Sequence, residues 1–149
     1  MTTDAWLAIA HHLAVFGVLA VLSAEWSLVR PGLSGDGLRV LARVDAAYGA
    51  LAGIVLVVGV ARVVAGAKPA DFYTESPTFW FKMAAFATVG LLSIRPTIQY
   101  LGWRRTFAAD GTTPTAERLR SAHRAVNLQL SVFGAIPVFA ALMARGVGS

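Results

Sequence analysis

Four long, mostly apolar stretches occupy most of the chain, at about 5–29, 43–64, 78–101 and 121–143. A helix needs about 20 residues to cross the hydrocarbon core of a bilayer. A water-soluble domain of 149 residues has no interior large enough for four such segments. In lipid, every backbone N–H and C=O must be satisfied within the protein, which leaves helices or a closed barrel. Segment length selects helices, even for the second stretch, whose valines would suit a strand in water. The expected fold is all-α: a polytopic, four-helix transmembrane bundle forming one domain over 1–149, in contact with a lipid bilayer.

Composition narrows the chemistry. The chain is 56% hydrophobic and 14% charged, against roughly 25% charged in an average globular domain. It has no cysteine, so disulfides, thiolate metal sites, iron–sulfur clusters and cysteine nucleophiles are excluded. The net charge is +5, but most arginines flank apolar spans instead of forming the solvated basic face that nucleic acid requires. No nucleic-acid partner is expected. Met1-Thr2-Thr3-Asp4 lacks a basic start, and no small-residue cleavage site follows the first span, so residues 1–29 read as a retained helix. The chain also lacks a Gly-rich phosphate loop, a His-Glu-x-x-His zinc motif and a serine-hydrolase elbow.

The basic residues predict orientation. The first and third connections, with their helix ends, hold Arg30, Arg39, Arg43, Arg95, Arg104, Arg105, Arg118, Arg120 and Arg124. The opposite side has Arg62, Lys68, Lys82 and Arg145. Positive charge collects on the cytoplasmic side, so both termini are expected outside, on the periplasmic face of a bacterial inner membrane.

Ionisable and amide groups inside the spans are the candidate functional residues. In the first span Asp4, His11, Val18 and Glu25 recur every seven residues and share a face. His11 and Glu25 are about 21 Å apart along that helix, near opposite surfaces. The second span aligns Asp45, Tyr48, Gly59 and Arg62. The third aligns Lys82, Phe86, Val89, Ser93 and Pro96, and the fourth His123, Asn127, Leu130, Gly134 and Pro137. Tyr100 and Trp103 match an interfacial aromatic belt. Two groups are therefore expected: an outer one of His11, Arg62 and Lys82, and an inner one of Glu25, Asp45, Tyr48, Arg95, His123, Arg124 and Asn127.

Each group has a structural and a functional reading. His11 serves either as an interhelical hydrogen-bonding residue or as a ligand to haem iron or another metal. Arg62 and Lys82 either snorkel to the headgroups or hold an anion. Glu25 and Asp45 either pair with Arg43, Arg95 or Arg124, or relay protons. Gly49 and Gly53 form a small-x-x-x-small pair open to helix packing.

Several blocks carry a resemblance. They are Ala5-Trp6-Leu7-Ala8-Ile9-Ala10-His11-His12-Leu13, Ala24-Glu25, Arg30-Pro31-Gly32, Arg43-Val44-Asp45-Ala46-Ala47-Tyr48-Gly49, Phe79-Trp80-Phe81-Lys82 and Gly90-Leu91-Leu92-Ser93-Ile94-Arg95-Pro96-Thr97. Together they resemble a family of small four-helix bacterial membrane proteins of unknown function, over nearly the whole chain. Trp6 and His11 in the first span, with Lys82 early in the third, are also similar to the HemJ-type protoporphyrinogen oxidases. Copper-resistance D-type membrane domains are a comparable distant likeness. The oxidase resemblance implies haem b or porphyrin as cofactor, His11 as axial metal ligand, and Lys82 facing a porphyrin carboxylate. The second histidine, His12, departs from that pattern.

The first functional expectation is thus a haem- or porphyrin-binding redox protein centred on His11, with Arg62 and Lys82 as cofactor-binding cations. The alternatives are a small transporter or channel for an anion or proton, and a homo-oligomer or assembly partner within a larger membrane complex. The sequence leaves catalytic residues, and whether the protein is an enzyme, undefined.

Overall fold

A computed structural model describes residues 2–145; Met1 and 146–149, the ends of the expected 1–149 domain, lie outside the described residues. It contains five helices: α1 (Thr3–Leu28), α2 (Gly35–Ala65), α3 (Ala70–Thr74), α4 (Pro77–Asp110) and α5 (Ala116–Ala144). All but α3 are long and apolar enough to cross a membrane. Three begin or end beyond the expected apolar limits. α2 starts at Gly35, α4 continues to Asp110, and α5 starts at Ala116. Lipid thickness sets the apolar length, whereas capping sets where a helix stops.

Local chemistry explains those stops. The Ser34 hydroxyl accepts from Gly37 N–H at 3.1 Å and caps α2. Pro77 opens α4, where a missing N–H costs nothing. Gly111 closes α4 at φ 74°, a left-handed conformation that glycine adopts freely. Gly35 lies where an added Cβ would collide with the Phe107 ring. Its lack of a side chain lets the start of α2 meet the end of α4.

Around the bundle the order is α1, α2, α4, α5, with α5 closing against α1. The pairs α1–α2 and α4–α5 pack most extensively, and α1–α4 and α2–α5 are diagonals. Short connections make neighbouring long helices antiparallel. One end therefore collects the α1–α2 and α4–α5 connections and most arginines, and is called the arginine end below. The other holds α3.

Two apolar clusters fill the axis. One runs through Ala14, Val18, Leu22, Val55, Val89, Val126, Phe133 and Ile136. The second, at the arginine end, joins Val29, Leu38, Leu41, Tyr100, Trp103, Leu119 and Ala122. Tyr100 is 0% exposed and Trp103 7%. These two aromatics pack against the other helices and do not present the lipid-facing surface expected of an interfacial belt, because they lie on the inward face of α4. The outer faces show Leu13, Phe16, Val57, Leu91 and Ile98. Apolar side chains over that whole girdle fit lipid as the surrounding solvent.

The face of α5 also differs from the expected stripe. Leu119, Ala122, Val126, Gln129, Phe133 and Ile136 point inward, while Asn127, Gly134 and Pro137 are exposed. This is a rotation of about 100°, one residue's turn. A stripe chosen by its polar members failed because lipid does not sort polar from apolar faces as water does.

Candidate functional site

Near the α3 end, α1 presents a half-buried His11 to α2. Gly59 lies alongside, and a Cβ there would touch His11 Cε1 at 3.4 Å. The imidazole thus rests almost on the α2 backbone, near the Val55 carbonyl. Nδ1 nevertheless completes no hydrogen bond. Neighbouring His12 is exposed, with its Nδ1 2.6 Å from the Ala8 carbonyl.

Arg62 and Lys82 lie within electrostatic reach of His11 and of each other. Arg62 comes from the last turn of α2 and Lys82 from the start of α4, both half-buried. The Arg62 Nε atom has no partner. Lys82 Nζ stands 5.4 Å from the centre of the Phe79 ring, a modest cation–π contact. Among the described residues the one ion pair is Arg39–Asp36, at the other end of the molecule. The structure therefore brings together the three outer residues and gives neither cation a carboxylate partner. Asp4, on the same α1 face, accepts from the Ala67 N–H at 3.3 Å instead.

The inner group is smaller than expected. Glu25 and Asp45 are 2% and 6% exposed and close enough to repel one another. The Thr97 hydroxyl donates to Asp45 Oδ1 at 2.7 Å. Tyr48 is buried beside Ser93. His123 lies next to this group, its Nδ1 3.0 Å from the Val29 carbonyl and its ring 5.2 Å from that of Trp26. Arg95, Arg124 and Asn127 are exposed and stand outside the cluster. The ion pairs expected for Glu25 and Asp45 do not form: Arg43, Arg95 and Arg124 all point outward.

Sequence reasoning missed Gln129 and the inward position of Tyr100. Gln129 is 1% exposed, with neither amide atom bonded to protein. Its position between Val126 and Phe133 marks it as a polar residue within an apolar span but not which way it faces. No cluster of three or more His, Cys, Asp or Glu side chains suited to a metal occurs among the described residues. A metal at His11 would thus have to bring most of its own ligands, as haem iron does.

Four lipid-facing helices with ionisable groups buried near both ends define a polytopic membrane protein. The family described as "Predicted membrane protein (DUF2214)" matches residues 3–148, and the chain belongs to that family. No curated protein and no solved structure matches the chain. The likeness to HemJ-type oxidases and copper-resistance D-type domains therefore rests on the residues alone.

Proposed function

We propose that this protein binds an anionic, membrane-soluble ligand at its α3 end, with haem or a related porphyrin as the member of that class its residues fit best. One observation carries this reading: an unpartnered imidazole nitrogen beside two half-buried cations that, among the described residues, no carboxylate neutralises. A neutral imidazole suits iron, and Arg62 and Lys82 suit carboxylates. The bare Gly59 surface keeps the His11 ring against α2. Bound haem would supply one-electron chemistry; the chain's part is to ligate, to neutralise and to exclude water.

Titration of detergent-purified protein with haem tests this. A Soret band should grow to a stoichiometric end point and be lost in His11→Ala. Lys82→Met should keep the band and weaken binding about tenfold, the loss of one charge-assisted contact. Failure of the wild type to take up haem would contradict the porphyrin assignment.

Conduction of an anion or proton would have to cross the layer of Ala14, Val18, Val55, Val89, Phe133 and Ile136 between the two polar groups. Binding is therefore placed before transport. Assembly with a second copy or a larger complex would use the outward face at Gly49 and Gly53, which has no neighbour within 4 Å. The charge bias supports a bacterial inner membrane with the arginine end in the cytoplasm and both termini outside.

A further inference from the structure

The carboxyls near the arginine end are not explained by ligand binding at the α3 end. Among the described residues, Glu25 and Asp45 lie in each other's field without a counter-ion, and Glu25 Oε1 has no protein partner. Tyr100, 0% exposed, is within electrostatic reach of both acids, and its hydroxyl is also unpartnered. Gln129 adds an unpaired amide at a similar depth. It lies six residues along α5 from His123, about 9 Å, while Glu25 lies four residues before Val29, about 6 Å. Since His123 meets the Val29 carbonyl, the two levels differ by about 3 Å.

Two ionised carboxylates without a cation are not a stable content for a lipid-surrounded core. The polar atoms supplied around them include hydrogen donors: Thr97 already bonded to Asp45, with the Tyr100 hydroxyl and Gln129 amide at hand. Donors of this kind suit a pair of carboxyls carrying one negative charge better than they suit a bound metal cation.

We propose that Glu25 and Asp45 form a proton-binding site, one carboxyl holding an exchangeable proton while the other is ionised, within a polar layer completed by Tyr100 and Gln129. Access is from the arginine end. A cavity of about 450 Å³ opens there between α1 and α5, lined by Trp26, Val29, His123 and the arginines Arg30, Arg120 and Arg124. Val29 is one turn from Glu25, whose carbonyl its N–H bonds at 2.9 Å. Glu25 lies one turn behind the cavity wall at Val29, and the exchange moves one proton between a carboxyl oxygen and water entering from that side; no electron is transferred. The titratable groups within electrostatic reach of the pair are Tyr48 from α2 and Tyr100 from α4; His123 from α5 meets the Val29 carbonyl, one turn along α1 from Glu25. Arg43, Arg95 and Arg124 face away.

Infrared spectroscopy of the purified full-length protein at neutral pH reads this directly. Biosynthetic ¹³C-carboxyl labelling of Asp and Glu should shift a carboxylic-acid C=O band that also responds to D₂O. Glu25→Gln should remove that band, because Asp45 alone, with its Thr97 bond, ionises. Tyr100→Phe should keep it at a changed frequency. The labelled wild type needs no substitution to fold, so the proposal stays testable if Glu25→Gln does not. Absence of any labelled acid band at neutral pH would overturn it. So would a band abolished by replacing potassium with sodium, which would mark a metal-cation site. His11→Ala should leave the band intact, separating this site from the one at the α3 end.

Discussion

A cation within a bilayer is stable only with a counter-charge, a route to the headgroups or a bound ligand. Arg62 and Lys82 differ from ordinary interfacial anchors in being half-buried and within electrostatic reach of a histidine and of each other. Thr97 shows the opposite case, a polar residue fully occupied by structure. Its hydroxyl donates to Asp45, so Thr97→Val should cost about 1–2 kcal/mol in detergent unfolding, through loss of a bond to a buried carboxyl. An unchanged midpoint would mean that this bond is not made. The outer residues were legible in the sequence because heptad spacing fixed both face and depth on α1, and span ends fixed Arg62 and Lys82. Gln129 was not legible: an amide among Val, Leu and Phe carries no sign of its direction when both faces of the helix are apolar.

Helix faces follow packing, not polarity, and α5 illustrates this. Its inward line of Val126, Gln129, Phe133 and Ile136 is set by contacts with α1 and α4. Asn127 is carried outward as a result. The native chain has no cysteine, so single cysteines report the face without background. Asn127→Cys should react quickly with a lipid-soluble maleimide, and Val126→Cys slowly; equal rates would contradict the orientation of α5. The meeting of α2 with α4 is equally specific. Gly35→Ala should destabilise the bundle by about 1–3 kcal/mol through overpacking against Phe107, measurable as a lowered Tm. The existence of the four long helices was readable from span length alone. Their extensions, and the short α3, depended on caps and contacts beyond the apolar pattern.

At the scale of the molecule, charge is segregated. Among the described residues, half-buried cations without acid partners sit near α3, and buried acids without cation partners sit near the arginine end. The apolar layer between them keeps them from neutralising each other. The topology proposed from the arginine bias predicts α3 outside the cell. Thr113→Cys and Asp71→Cys, both in exposed connections, should therefore be labelled by an impermeant reagent from opposite sides, with Asp71→Cys reactive in intact cells. Labelling of Thr113→Cys alone in intact cells would invert the topology.

The most direct test of the account is the thermal stability of ligand-free Lys82→Met. Cations retained for an anionic ligand repel each other when it is absent, so removing one should raise stability by about 1 kcal/mol, the usual stability–function trade. A rise in Tm without ligand, joined to weaker haem uptake, is the predicted result. A fall in Tm would mean that Lys82 holds the fold together, and would contradict a binding role for the His11–Arg62–Lys82 group.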